Sequence, residues 1–151
     1  MSDTRPNILF LNTDQQCLNT IAALGCPHVE TPGLDSLAKN GTAFLQSYTP
    51  NPVCLPCRAA WFTGRMPSET GILRPVEKSE KRLRHDLPTL GAWLHEQAGY
   101  ESVYAGKWHA PEYITRRHDQ IPGFYTLTTG IDDQGFVMDP NVGMACDAFL
   151  R

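Results

Sequence analysis

The sequence predicts an α/β fold built on a largely parallel sheet, and three observations predict it. Residues 7–12 and 100–105 are short apolar runs of strand length without polar alternation, as in strands covered on both faces. Segments of helical period lie between such runs, each bounded by proline or glycine. The order along the chain is strand, helix, strand, helix, helix, strand, which suits parallel strands joined by helical crossovers.

Residues 7–12 are expected to form a buried strand ending in polar Thr13, Asp14, Gln15 and Gln16. In open α/β sheets that C-terminal edge is where ligands bind. Residues 31–41 are expected as a short helix capped by Thr31, with Pro32 in its first turn and Gly41 as its stop. Leu34, Leu37 and Ala38 would be its buried stripe. Residues 42–48 are a second strand candidate. A helix should then start with Pro56 at its first position and end at Gly64, which puts Cys54 just before its N-terminus. Residues 88–97 are expected as the next helix, stopping at Gly99, with Leu87, Leu90 and Leu94 on one face. Residues 100–105 form the third strand, followed directly by Gly106-Lys107-Trp108-His109. Beyond Pro111 the pattern becomes loop-rich, punctuated by Pro122-Gly123, Gly130, Asp132-Asp133 and Gly135. Residues 139–151 open another helix in which the chain ends uncapped, so the expectation is part of a larger fold.

The 151 residues carry a net charge of −3, with 41% hydrophobic and 19% charged residues, an ordinary balance for a soluble domain. Mild acidity and dispersed basic residues give nucleic acid or an anionic membrane no purchase. The one basic cluster, residues 78–84, reads as a solvated loop. No run approaches the roughly 20 apolar residues that span a bilayer, and the N-terminus lacks the pattern of a signal peptide. A cytoplasmic location is therefore expected. Five cysteines at irregular spacing fit free thiols better than a disulfide framework.

Three segments carry chemistry. Cys54-Leu55-Pro56-Cys57-Arg58, followed by Thr63-Gly64, puts a cysteine and an arginine at a helix N-terminus, where free N–H groups and the helix dipole favour an anion. Arg58 can add planar, charge-assisted hydrogen bonds to an anionic oxygen. Gly106-Lys107-Trp108-His109 brings a cation and an imidazole to the end of a buried strand, suited to an anionic transition state and to proton transfer. Asp14 and Gln15 offer hard oxygen donors at the end of the first strand.

Together these segments resemble the sulfatase family. Cys54 to Arg58 resembles its C-x-P-x-R signature, with Thr63-Gly64 at the family's distance, and residues 99–109 resemble its second signature throughout. The resemblance covers residues 6–110, and it also includes Thr31-Pro32-x-Leu34-Asp35-x-Leu37-Ala38, which reads as structural. It implies the N-terminal portion of an alkaline phosphatase-like α/β/α sandwich with a largely parallel sheet. It also implies that a maturation enzyme oxidises Cys54 to formylglycine, whose hydrate attacks the sulfur of a sulfate ester. By the same resemblance Lys107 neutralises the sulfate and His109 hydrogen-bonds the formylglycine. A divalent cation, Ca²⁺ first and Mg²⁺ or Mn²⁺ otherwise, would sit on Asp14, Gln15 and the modified Cys54. Gln15 stands where the family more often has Asp, so this position brings an oxygen without a charge. Small sulfate, phosphonate or phosphate esters are the implied substrates, and the sequence does not choose among them. Complete members run to several hundred residues and draw further ligands from their second half. The isolated chain is thus expected to be inactive and, having exposed sheet edges, to self-associate.

Rival readings rest on the same residues. Cys54 and Cys57 form a C-x-x-C pair opening a helix, as in thiol-disulfide redox sites, but that reading leaves Arg58 and residues 106–109 unexplained. A zinc site lacks a second paired motif, and Cys17, Cys26 and Cys146 read as packing residues or idle thiols. A non-catalytic, anion-binding remnant is the third alternative. His28, His85, His95 and His118 read as surface or structural, Asp132-Asp133 as a turn, Trp61 and Phe62 as core, and Arg65 as a brace for the site. Trp108 suits either core or site.

Overall fold

The computed structural model describes residues 4–74, 83, 86–109, 121–130 and 135–151, with the backbone alone at 129–130 and 135–138. His85, His118 with its charged neighbours, Asp132-Asp133 and the basic cluster other than Leu83 lie outside the described residues. The chain divides into two units, Met1–Tyr48 and Thr49–Arg151.

In the first unit Pro32 starts helix α1, Pro32–Asn40, and two 3-10 turns, Leu18–Thr20 and Ala22–Leu24, precede it. Thr31 flanks the helix but does not cap it with its side chain. Its hydroxyl instead accepts from the Ala22 N–H at 2.9 Å and donates to Asp35 Oδ1 at 2.8 Å. Asp35 Oδ1 also accepts from the Ala23 N–H at 2.8 Å. The Ala23 bond, followed by the Thr31 bond, holds the Asp35 carboxyl below the usual carboxylate range. This pairing fastens the first turn of α1 to the 3-10 turn before it. Leu34 and Ala38 are half-buried as expected, whereas Leu37 is exposed.

Residues 7–12 and 42–48 do not form the expected strands. Ile8, Leu9, Phe10 and Leu11 are 63% to 70% exposed, and Phe44 and Tyr48 are more open still. A strand exists only through a ladder partner, and among the described residues the sheet holds just the two strands of the second unit.

The second unit is organised around helix α2, Cys54–Thr63. Eight of its ten residues are buried, which makes it an interior helix rather than an amphipathic cover. Leu55 and Ala59 pack with Ile72 and Leu83, supported by Leu87. Phe62 packs with Trp108 and Ile121, supported by Tyr104 and Phe124. Gly64 ends the helix in the left-handed conformation that glycine adopts without a Cβ penalty, and its N–H bonds the Ala60 carbonyl. Cys54 is the first residue of the helix and Pro56 the third, a shift of two residues from the expected start. Helices commonly admit proline anywhere in the first turn, where no N–H is needed.

A short helix α3, Pro67–Thr70, follows, and then α4, Leu90–Ala98. Thr89 caps α4 by accepting from the Ala92 N–H. The buried face of α4 is centred on Gly91, while Leu90 is exposed, so the expected leucine stripe is displaced. The cause is a close approach: a Cβ on Gly91 would overlap the Phe124 ring and the Gly123 carbonyl. Small residues here let the helix backbone meet the chain entering the second strand.

Strands β1, Ser102–Lys107, and β2, Phe124–Gly130, pair in parallel. The register runs Ser102 to Phe124 through Tyr104 to Thr126, then resumes at Ala105 opposite Thr128. Leu127 is therefore the extra residue of a bulge, which bends a strand and is favoured near functional sites. β2 lies in the stretch expected to be loop-rich. Helix α5, Gly135–Leu150, packs against both strands. It begins before Asp139, and Pro140 lies inside it, contributing no N–H to the helix. Helices with a parallel strand pair make the chain α/β, as the alternation predicts. Among the described residues no helix is long and apolar enough to cross a membrane.

Candidate active site

Cys54 is half-buried at the first position of α2. The chain enters through Asn51, whose Oδ1 accepts from the Val53 N–H at 3.0 Å. Pro56 has no N–H, so Cys54 and Leu55 supply the N–H groups that the helix itself leaves over. Donors and helix dipole thus coincide at the candidate nucleophile, where negative charge is stabilised. Cys57 is buried, and its Sγ lies 2.9 Å from Thr49 Oγ1. All the described cysteines are free thiols.

Arg58 is one helical turn beyond Cys54 and only 5% exposed. A buried guanidinium must be compensated by hydrogen bonds. Its Nη1 donates to the Lys107 carbonyl oxygen at 2.6 Å. The guanidinium carbon also stands 5.8 Å from the centre of the Trp61 ring, within cation–π range. Arg58 therefore joins the helix that begins with Cys54 to the strand end that carries Lys107.

That strand end turns sharply. Gly106 has φ 112°, a conformation that side chains strain to adopt, and His109 has φ 45°. A non-glycine residue in that region persists only where its surroundings hold it. Between them Trp108 is buried, 4.4 Å from Phe62 and 5.5 Å from Tyr104 by ring centres. Trp108 is thus a core residue that anchors the segment, while Lys107 and His109 flank it, both half-buried.

Tyr104 is a residue that sequence reasoning missed. Its hydroxyl donates to the same Lys107 carbonyl that receives Arg58. Burial pushes its pKa above the usual phenol value, with nearby Arg58 opposing the shift. No spacing rule signals a tyrosine bonding a carbonyl three residues ahead, because in straight strand the two would be too far apart. Only the turn at Gly106 brings them together.

Asp14 and Gln15 belong to the first unit. Gln15 has φ 58°, another left-handed non-glycine residue, directly beside the candidate ligand Asp14. A carboxylate and an amide oxygen are the right chemistry for Ca²⁺ or Mg²⁺, but Ca²⁺ takes six to eight oxygens in all. Among the described residues no group of three His, Cys, Asp or Glu side chains is gathered to hold a metal. The pair fits as part of a cation site. Arg65, expected to brace the site, pairs with Glu69 at 3.6 Å, and both are about half exposed. His95 is exposed, with Nδ1 3.3 Å from the Tyr100 carbonyl, and His28 is exposed too, as their surface reading requires.

The profile of the Sulfatase family matches residues 6–139, beyond the last of the quoted motifs. An uncharacterised sulfatase of Escherichia coli strain K12, YidJ, is 37% identical over 105 residues, covering 70% of this chain and 20% of its own. Bovine (Bos taurus) arylsulfatase A is 40% identical over 106 residues, covering 69% and 21% respectively. Human (Homo sapiens) N-acetylgalactosamine-6-sulfatase is 33% identical over 136 residues, covering 85% and 24%. The chain spans about a fifth to a quarter of the length of these relatives. With nearly the whole chain inside the family profile, and with both signature segments held together by Arg58, the chain belongs to the sulfatase family.

Proposed function

We propose that this chain carries the nucleophile region of a hydrolase that cleaves sulfate esters. The observation that supports it best is the junction of Arg58 with the Lys107 carbonyl, which ties the helix start bearing Cys54 to the segment bearing Lys107 and His109. In this reading Cys54 is converted to formylglycine by a separate maturation enzyme and becomes the nucleophile. The N–H groups at the start of α2 and the Lys107 ammonium receive the anionic sulfate, and His109 moves a proton at the nucleophile or leaving group. Sulfate esters are preferred over phosphonate or phosphate esters because the relatives are named as sulfatases.

A divalent cation, Ca²⁺ in the first instance, would be held in part by Asp14 and Gln15 and would supply positive charge to the ester. The 151 residues by themselves are proposed to be inactive, since those two donors leave most of a cation's coordination unfilled. A cytoplasmic location remains part of the proposal.

The test is hydrolysis of an aryl sulfate by the full natural gene product, made together with its maturation enzyme. Cys54→Ala should abolish turnover, and Cys57→Ser should leave it within about twofold, because Cys57 is turned to Thr49. Unchanged activity in Cys54→Ala would end the nucleophile assignment. Loss in Cys57→Ser, with the fold intact, would favour a dithiol site.

A further inference from the structure

We infer that Tyr104 is a positioning residue of this site: with Arg58 it clamps the Lys107 carbonyl and so fixes where Lys107 and His109 stand. The inference rests on the sulfatase reading for what the site does, and on the geometry alone for how it is held. Both Tyr104 and Arg58 donate to one carbonyl oxygen, which fills its two lone-pair directions. The carbonyl belongs to the residue between the left-handed turn at Gly106 and the buried Trp108. Its orientation decides the direction in which the chain leaves β1, and therefore where the next two side chains begin.

The ring of Tyr104 is itself immobilised. It packs edge-on against Trp108 at 5.5 Å and Phe124 at 5.8 Å, and tilted against Phe62 at 5.9 Å. Such contacts hold an aromatic ring in a defined orientation. The bulge at Leu127 lies immediately beside the Tyr104 pairing position, where the β2 backbone departs from regular register. Removing the hydroxyl alone would keep this packing and release one half of the clamp. Burial that raises the Tyr104 pKa keeps the phenol protonated, and therefore a donor, through the neutral range.

The experiment compares Tyr104→Phe with the parent in the full, matured gene product, with an aryl sulfate as substrate. A misplacement of catalytic groups by well under an ångström should lower kcat about tenfold, while KM moves less than about twofold. The thermal midpoint should stay within about 2 °C, since the ring is retained. Fluorotyrosine at position 104, which restores a hydroxyl on the same ring, should recover most of the lost rate. Parent-like kcat in Tyr104→Phe overturns the inference. So does a fall in kcat that fluorotyrosine fails to recover, or one matched by a large loss of thermal stability. Cys54→Ala, run alongside, reports on the nucleophile separately: an inactive Cys54→Ala with a parent-like Tyr104→Phe leaves the sulfatase reading standing and removes only the clamp.

Discussion

The Arg58 guanidinium lies 2.6 Å from the Lys107 carbonyl oxygen, a bond across 49 residues of sequence between a helix start and a strand end. It converts two separate sequence motifs into one site. It also gives Arg58 a structural duty beside the proposed one of holding an anion, because a buried cation that already bonds the protein backbone is fixed before any ligand arrives.

Arg58→Met should therefore be costly on two counts. The Lys107 carbonyl loses one of its two buried donors and the Trp61 ring loses its cation, which together should reduce stability by about 1–3 kcal/mol, read as a lower urea midpoint. Arg58→Lys keeps the charge but not the planar fork, and should recover only part of that stability. Equal urea midpoints for the parent and both variants would contradict the buried role.

The approach of α4 to the entry of β2 gives a prediction independent of chemistry. Gly91→Ala would drive a methyl into the Phe124 ring and the Gly123 carbonyl, and should cost about 1–3 kcal/mol by overpacking. Gly123→Ala should cost more, because its φ of 76° disfavours a side chain and its Cβ would meet the backbone of Gly91 and Ala92. Chemical denaturation of both variants reads the order directly.

The pH dependence of the first unit follows from Asp35. Its folded pKa is lowered, chiefly by the Ala23 N–H and then by Thr31. A carboxyl of this kind contributes stability that is present above its unfolded pKa and is lost as pH falls through the folded value. Hydrogen exchange at the Ala23 amide should thus be slowed at neutral pH and lose protection on acidification below the ordinary carboxylate range. Asp35→Ala should show the unprotected rate at every pH.

How much of this could be read from the sequence differs by element. Helices announced by their own punctuation are legible: Pro32 starts α1, Gly64 ends α2, and Gly99 ends α4. Those are local signals, fixed by the backbone chemistry of single residues. The apolar run at residues 7–12 reads as a strand, yet a strand depends on a partner that local sequence does not name. β2 was missed for the converse reason: Phe124 and Tyr125 sit between glycines and threonines, and only pairing with β1 reveals them as strand. Within the candidate site, Cys54, Arg58, Lys107 and His109 are legible as residue types at motif spacing. Tyr104 is not, since its role depends on a turn at Gly106 that brings a neighbouring carbonyl back to it.

Cys54, at the head of α2, is proposed to become the nucleophile by oxidation. The most direct measurement is mass spectrometry of the Cys54 peptide from protein purified out of its native host. The expected peptide is one in which the CH₂–SH of Cys54 has become CHO, captured by an aldehyde-reactive hydrazide, while Cys57 in the same peptide remains a thiol. A peptide carrying both cysteines unmodified, or a disulfide between Cys54 and Cys57, would contradict it.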